Sequence, residues 1–302
     1  MLSFLPHWLR GVLTLTSIGL STITLFPLVI LFALLKLIIP IKFSRKICTI
    51  ILIEIANLWI GFNNLLLSVM HDIQWDIEGL EGLNTKDWYF VTCNHQSWAD
   101  IPVVQKVLMR KIPMLKFFLK QELIWVPFIG IAWWALDFPF MKRYSKEEIE
   151  KDPSLKGKDL ETTRHACEKF KFTPVTVFNF LEGTRFTEEK HSRQNSPYKY
   201  LLKPKAGGAA FVLGAMGDQL HTMLNITIHY PGDDRGFWSF MSGRIRRIVV
   251  RIQKVNIPSQ FLGKDYMNDE QFRSAFQEWV SKLWQEKNEQ LAQLHEQFPR
   301  SS

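Results

Sequence analysis

The hydrophobic and polar positions divide the 302-residue chain into an apolar first part and a longer remainder of mixed character. Residues 11–39 contain a single charged side chain, Lys36, and residues 47–70 contain a single one, Glu54. Each stretch is long enough to cross the roughly 30 Å hydrocarbon core of a bilayer as a helix. The first stretch is too long for a signal peptide, and a second one follows it. The pattern therefore predicts a membrane-anchoring two-helix region over residues 1–70.

The short connection between the two apolar stretches, residues 40–46, carries three positive charges. If both stretches span the bilayer, this connection lies on the side opposite the rest of the chain. That placement conflicts with the tendency of basic loops to stay on the cytoplasmic side. We therefore expect partial insertion into one leaflet, and a spanning hairpin remains the alternative. Three asparagines in the second stretch also suit an interfacial or partly protein-buried helix: Asn57, Asn63 and Asn64.

After residue 70 the pattern changes to short runs that alternate or are continuously apolar, separated by longer helical stretches. Short runs rich in β-branched and aromatic residues predict strands. Strands that alternate with helices predict an α/β domain, with a mixed or mostly parallel sheet flanked by helices. We assign this domain to residues 71–260 and a C-terminal helical extension of structural role to residues 261–302. The predicted strands are residues 71–79, 88–93, 174–180, 223–230 and 245–255, and the predicted helices are residues 101–110, 160–170 and 268–297.

Two stretches between these elements have their own character. Residues 111–134 are basic and then strongly apolar, and they contain three tryptophans and two prolines. They predict either core or a second contact with a membrane surface, where tryptophan is favoured. Residues 142–159 are highly charged and predict a solvated segment.

The net charge of +8 adds a basic surface to a membrane-anchored chain. This combination indicates anionic lipid head groups or phosphorylated substrates as partners. The apolar N-terminal third argues against nucleic acid, the other common partner of a basic protein. The three cysteines, Cys48, Cys93 and Cys167, lie far apart and form no metal-like pair, so we predict reduced thiols, no disulfide and no metal site.

The first candidate site is a histidine and an aspartate five positions apart, His95 and Asp100, directly after the predicted strand 88–93. Residues at this spacing do not stack within one helix, but they can meet if the chain turns between them. An imidazole oriented by a carboxylate is a general base near neutral pH, able to activate a hydroxyl. Ser97 lacks the surroundings of a nucleophile elbow, so we predict that its hydroxyl only caps a turn.

The second candidate site is the run Glu182-Gly183-Thr184-Arg185, which follows the predicted strand 174–180. Loops that leave strand ends hold ligands in α/β folds. Gly183 permits close approach of the backbone, and the planar fork of Arg185 suits a phosphate. Glu182 either fixes that arginine or accepts a hydrogen bond from a substrate hydroxyl. Taken alone, the run is more typical of a tight turn with a surface ion pair.

Taken in order, three motifs resemble the first three signature blocks of the glycerophospholipid acyltransferase family, which includes the lysophosphatidate acyltransferases. The resemblance covers about residues 70–256 and rests on the His-x4-Asp and Glu-Gly-Thr-Arg patterns. The whole chain most resembles Gram-negative inner-membrane members near the lysocardiolipin acyltransferase branch. The motifs are residues 94–100, residues 140–143 and residues 180–185.

The resemblance implies a mixed α/β acyltransferase fold and a role for each matching residue. His95 is expected to take the proton from the acceptor hydroxyl, and Asp100 to hold its tautomer. The activated hydroxyl is then expected to attack the thioester of acyl-CoA or acyl carrier protein, with no acyl-enzyme and no cofactor. The acceptor is expected to be a lysophospholipid, most simply 1-acyl-glycerol 3-phosphate, and the site to face the cytoplasm from the bacterial inner membrane. The residues expected to bind the acceptor are Arg143, Glu182, Gly183, Thr184, Arg185 and, by a looser match, Lys205.

The chain departs from the family pattern in two places. The fourth block, residues 224–228, lacks the usual proline, and the second block is shifted toward residues 137–140. These departures leave the acyl donor and the acceptor head group open, with lysophosphatidylglycerol and lysocardiolipin as alternatives. Two other hypotheses are a non-catalytic protein that binds anionic lipids and a hydrolase in which water replaces the acceptor.

Overall fold

The computed structural model describes residues 2–141, 151–152, 167, 170, 174–217, 219–232, 234–264, 266 and 268–299. The charged segment 142–159 and the helix predicted over residues 160–170 fall almost entirely outside these described residues.

Two long helices, α1 (His7–Ile38) and α2 (Lys42–Met70), form a hairpin at the N-terminus. Both are long and apolar enough to cross a membrane by length and composition. Most of their side chains are not buried in the protein, and several large apolar ones on α1 are about half exposed. The predicted two-helix region is therefore present, with an outer apolar surface that the rest of the described chain leaves uncovered.

The remainder is an α/β unit, as predicted. Within the described residues, six strands form one sheet in the order β1-β8-β7-β2-β6-β3, and β4 and β5 form a separate ribbon. All neighbouring strands of the large sheet run parallel except β7 and β8. The strands are β1 (Gln74–Glu78), β2 (Tyr89–Cys93), β3 (Leu115–Phe117), β4 (Leu119–Lys120), β5 (Phe140–Met141), β6 (Thr176–Asn179), β7 (Thr222–His229) and β8 (Arg247–Asn256).

Helices cover both faces of the sheet, and the alternation along the strands explains why. Phe90 and Val177 belong to the core on one face, while their chain neighbours Val91 and Phe178 belong to the core on the other. Parallel strands are usually buried in this way on both sides. The helices after α2 are α3 (Asp100–Leu108), α4 (Ile129–Ala135), α5 (Glu188–Gln194), α6 (Ala206–Met216), α7 (Phe237–Met241) and α8 (Glu270–Gln297).

The C-terminal helix α8 contributes directly to this core. Its polar composition hides an apolar stripe at helical spacing, including Phe276, Val280 and Trp284, which packs with α6 and the sheet. Asp269 caps its first turn by accepting a hydrogen bond from the backbone N–H of Phe272 at 2.9 Å.

The five predicted strands are confirmed to within a few residues, and so are the helices α3 and α8. The helix α6 has no counterpart in the sequence prediction. Its sequence, Ala-Gly-Gly-Ala-Ala-Phe-Val-Leu-Gly-Ala-Met, is apolar all round and contains three glycines, so it carries neither an amphipathic period nor strong helix propensity. The strand β3 was also not predicted, because a strand of three residues gives too short a sequence pattern to recognise.

Candidate functional site

The candidate residues meet at one edge of the sheet. Strands β7, β2 and β6 are parallel neighbours in that order, so their carboxyl ends lie side by side. His95 follows β2 by two residues, Glu182 follows β6 by three, and Tyr230 comes directly after β7. The carboxyl edge of a parallel sheet is the usual place for a ligand site in α/β folds.

His95 and Asp100 are in direct contact. The loop between β2 and α3 turns so that Nδ1 of His95 lies 2.9 Å from Oδ2 of Asp100, the first residue of α3. Asp100 is fully buried, and the same Oδ2 accepts hydrogen bonds from the backbone N–H groups of Gln96 (2.7 Å) and Ser97 (2.8 Å). These three bonds hold the carboxylate in place. With Nδ1 donating to Asp100, the other ring nitrogen of His95, Nε2, is left as a proton acceptor.

Tyr230 completes the hydrogen bonding of this aspartate. Its hydroxyl donates a hydrogen bond to Oδ1 of Asp100 at 2.7 Å. The sequence did not predict this contact. Burial, together with the nearby Asp100 carboxylate, raises the pKa of Tyr230 well above its ordinary value, so the hydroxyl remains a donor. The only sequence signal for Tyr230 is its position at the carboxyl end of β7.

A neighbouring aromatic ring and the loop after β6 also hold His95 in place. Its ring stacks on Phe180 with centroids 3.9 Å apart, and only 12% of the side chain is exposed. The backbone N–H of His95 donates to Oε1 of Glu182 at 2.7 Å, and its carbonyl accepts from the N–H of Phe186 at 2.7 Å. The loop after β6 therefore fixes the backbone of His95 by two hydrogen bonds.

Glu182 is placed differently from what the sequence led us to expect. Its side chain is completely buried, Oε1 accepts from His95 N–H, and Oε2 accepts from Leu202 N–H at 2.9 Å. A carboxylate without exposed surface is not available to a substrate hydroxyl, so the expected contact with the glycerol phosphate is replaced by a positioning role. Burial raises the pKa of Glu182 to about 7, against the opposing effect of the two backbone donors.

The next three residues of this run stay at the surface of the site. Gly183 has a φ of +69°, which a residue with a side chain rarely adopts, and a Cβ added there would lie 3.1 Å from Cδ of Lys205. Lys205 thus lies against the loop, and its expected contact with the acceptor stays a prediction. The hydroxyl of Thr184 accepts from Nζ of Lys190 at 2.9 Å, which ties the loop to α5. Arg143 lies outside the described residues.

Arg185 lines an open cavity of about 330 Å³ beside the histidine loop. Its guanidinium lies over the ring of Trp98, 4.7 Å from the centroid, which holds the group without neutralising it. Arg235 lines the same cavity and donates to the side chain of Gln96 at 3.2 Å. Two guanidinium groups at one concave site favour an anionic ligand, although Glu188 also reaches the rim. Arg235 gave no signal in the sequence, because it belongs to a loop with no motif.

A smaller expectation, the one for Ser97, is confirmed. The hydroxyl of Ser97 donates to the carbonyl of Arg235 and accepts from the N–H of Ala99 at 3.0 Å, so it serves a turn and is not a free nucleophile. Cys48, Cys93 and Cys167 are free and buried. In the described part of the chain, no group of three or more His, Cys, Asp or Glu side chains is arranged to hold a metal ion.

Comparison with known proteins gives three findings. A family model described as Acyltransferase matches residues 74–228. The mouse 1-acyl-sn-glycerol-3-phosphate acyltransferase gamma is 26% identical over 182 residues, covering 57% of this chain and 44% of that protein, so the chain spans less than half of this relative. Lysocardiolipin acyltransferase 1 of Gallus gallus is 23% identical over 257 residues, covering 80% of this chain and 63% of that protein.

The chain is also similar to a solved structure. The crystal structure of a 1-acyl-sn-glycerophosphate acyltransferase from Thermotoga maritima aligns with a TM-score of 0.49 and 18% identity, covering 96% of this chain and 99% of that chain.

Proposed function

Since the chain belongs to the acyltransferase family, whose model matches residues 74–228, we propose that it acylates the free hydroxyl of a lysophospholipid. The acyl donor is a thioester, acyl-CoA or acyl carrier protein, and the simplest acceptor is 1-acyl-glycerol 3-phosphate, which gives phosphatidic acid. The observation that carries this proposal is the free Nε2 of His95, held by Asp100 next to a cavity with two arginines.

The reaction needs one base and no covalent enzyme intermediate. Nε2 of His95 takes the proton as the acceptor oxygen attacks the thioester carbonyl, and the developing imidazolium is stabilised by the Asp100 carboxylate. Collapse of the tetrahedral intermediate breaks the carbon–sulfur bond. The leaving thiolate then receives the proton from His95, which returns the base to its starting state.

The phosphate of the acceptor is expected to lie between Arg185 and Arg235. A phosphomonoester carries nearly two negative charges at neutral pH, and two guanidinium groups match it better than they match the single charge of a phosphodiester. This charge balance favours 1-acyl-glycerol 3-phosphate as the acceptor over lysophosphatidylglycerol or lysocardiolipin. Because one relative is named as a lysocardiolipin acyltransferase, lysocardiolipin is tested as a separate acceptor in the assay.

Membrane association gives the acceptor a route to the site. A lysophospholipid with a long chain resides in the bilayer, so an enzyme whose hairpin α1–α2 contacts that bilayer meets its substrate at the interface. We expect the bacterial cytoplasmic membrane, with the site facing the cytoplasm where both thioester donors occur. The basic balance of the chain would add attraction to anionic lipids.

The function is tested by product analysis of the reconstituted protein with labelled oleoyl-CoA. With 1-acyl-glycerol 3-phosphate present, we expect labelled phosphatidic acid. Without acceptor, we expect no release of free fatty acid above the rate of thioester hydrolysis in vesicles alone. Free fatty acid formed without acceptor would instead establish a hydrolase, and lipid binding without any turnover, by either thioester donor and each lysophospholipid, would favour a non-catalytic lipid-binding protein.

The role of the second arginine gives a separate prediction. Arg235→Gln is expected to raise KM for 1-acyl-glycerol 3-phosphate by roughly 10- to 150-fold, because one charge-assisted contact contributes about 1.5–3 kcal/mol. The KM for a phosphodiester acceptor should rise less. Steady-state kinetics on mixed micelles measure both values, and Arg193→Gln, a change at an exposed arginine of α5 outside the cavity, is the matched control. An unchanged KM in Arg235→Gln would remove this residue from the acceptor site.

A further inference from the structure

The segment between β4 and β5 contributes no residue to the proposed reaction. We define the insert as residues 121–138, which contain a 3-10 turn (Gln121–Trp125) and the helix α4. From residue 123 to residue 136 the insert has no charged side chain. Fourteen consecutive residues of this kind are too few to cross a bilayer, but they are enough to lie in its surface.

The insert packs on the distal half of α1. Phe128 meets Phe26 edge to face with ring centroids 4.9 Å apart, and Ala135 and Leu136 share a small core with Val29 and Ala33. These contacts lie about 28–39 Å along the helix axis from the start of α1, at 1.5 Å per residue. The insert thus packs along the second half of α1.

An ion pair at the far end of this contact neutralises Lys36 of α1. Nζ of Lys36 contacts the carboxylate of Asp137 and donates to the carbonyl of Ala135 at 3.2 Å. Lys36 is the single charge in residues 11–39, and Asp137 is the first charge after the apolar part of the insert. Pairing makes both groups tolerable in a setting of low polarity, where an isolated charge is costly.

The outer face of the insert is apolar and exposed. Trp125 is 86% exposed, Trp134 is 45% exposed and Phe128 is 42% exposed. The helix α1, on which the insert packs, also carries exposed apolar side chains, including Leu31 and Leu34, each 49% exposed. Exposed apolar surface of this kind marks an interaction site, and tryptophan is enriched where proteins meet the head-group region of a bilayer.

We propose that the insert is a third membrane-contacting element, which seats the outer face of α4 in the same leaflet as the outer face of α1. A lipid surface suits this face because it carries tryptophans and no charge, and because the insert packs against α1, a long apolar helix. The side of the hairpin next to α3 carries an exposed ion pair: Glu54 of α2 and Arg110 are joined at 2.7 Å, with side chains 51% and 63% exposed. The insert and α1 therefore face the lipid, and the Glu54–Arg110 pair faces water.

The proposal depends on membrane contact by α1 and not on the reaction assigned above. Its test uses single labels introduced by Ile131→Cys on the insert, Leu31→Cys on α1 and Lys282→Cys on an exposed position of α8. The native cysteines are buried, so an environment-sensitive thiol label attaches to the new one. Each protein is reconstituted in vesicles of phosphatidylcholine and phosphatidylglycerol that carry a nitroxide on the acyl chain.

We expect the label at position 131 to be quenched by the acyl-chain nitroxide to within about twofold of the label at position 31, with little quenching at position 282. Quenching at position 31 alone would overturn the proposal for the insert and keep the contact of α1. Quenching at neither position would overturn both contacts. If the face at position 131 is instead a dimer interface, its label stays protected from water without being quenched, and the protein in detergent has the mass of a dimer.

Discussion

Replacing His95 with alanine is expected to lower kcat for acyl transfer by roughly 10²–10⁴-fold, because the reaction loses the group that takes the acceptor proton. The acceptor site is expected to survive, since Arg185 and Arg235 belong to other loops. KM for the acceptor should therefore change much less than kcat. The measurement is the initial rate of phosphatidic acid formation by the reconstituted variant.

The control for this variant is His221→Ala, at an exposed histidine before β7 that lies outside the site. It should retain full activity. A thermal transition of His95→Ala close to that of the unchanged protein would show that the loss is chemical and not a failure to fold. Equal rates in His95→Ala and the unchanged protein would contradict the assignment of His95 as the base.

Replacing Glu182 with alanine is expected to have the largest effect on stability, with an apparent Tm lower by roughly 5–15 °C. The substitution leaves two buried backbone N–H groups, those of His95 and Leu202, without an acceptor, and each such group costs about 1–3 kcal/mol. Because one of them is the backbone of His95, the remaining folded protein should also lose activity. Thermal unfolding in detergent, followed by circular dichroism, measures the first effect. Glu278→Ala, at an exposed glutamate of α8, should leave Tm unchanged.

The variant Glu182→Gln removes the titration and keeps the size of the side chain, but its amide nitrogen cannot accept the second backbone hydrogen bond. Burial raises the pKa of Glu182 to about 7, above the ordinary value of 4.5. Between these two values the unfolded chain has released the proton while the folded protein retains it, so raising the pH through this window favours unfolding. The contribution of Glu182 to stability is therefore complete below about pH 4.5 and is lost as the pH rises through 7. Glutamine does not titrate, so Glu182→Gln should remove this part of the pH dependence of Tm; an unchanged dependence would contradict the assignment.

Local patterns in the sequence were sufficient to predict much of the fold. Runs such as residues 88–93 and 245–255 are strands in the structure because their side chains suit a buried pleated surface in any α/β arrangement. The helix α6 could not be found this way. It is helical because the apolar surroundings on all sides bury it, and that burial depends on parts of the chain far away in sequence.

The residues of the candidate site also fall into two groups: those predicted from local motifs and those that only the tertiary structure brings together. His95, Asp100 and Arg185 were predicted from motifs in which the chemistry depends on neighbours close in sequence. Tyr230 and Arg235 were not, because each joins the site only where the end of β7 comes beside the end of β2. Glu182 was predicted from its motif, but its burial and its bond to Leu202 were not, since they arise from the packing of two loops.

By itself, the sequence determined the two apolar helices, the order of most strands along the chain and the His-Asp pair, because each follows from hydrophobic spacing or from residues within a few positions of one another. Tertiary structure alone decided that Asp100 is held by Tyr230, that Glu182 supports the backbone of His95, and that the insert covers α1. These contacts join residues from 36 to 137 and from 100 to 230. Long-range pairs of this kind are set by how the strands and helices pack together, and no local pattern encodes that packing.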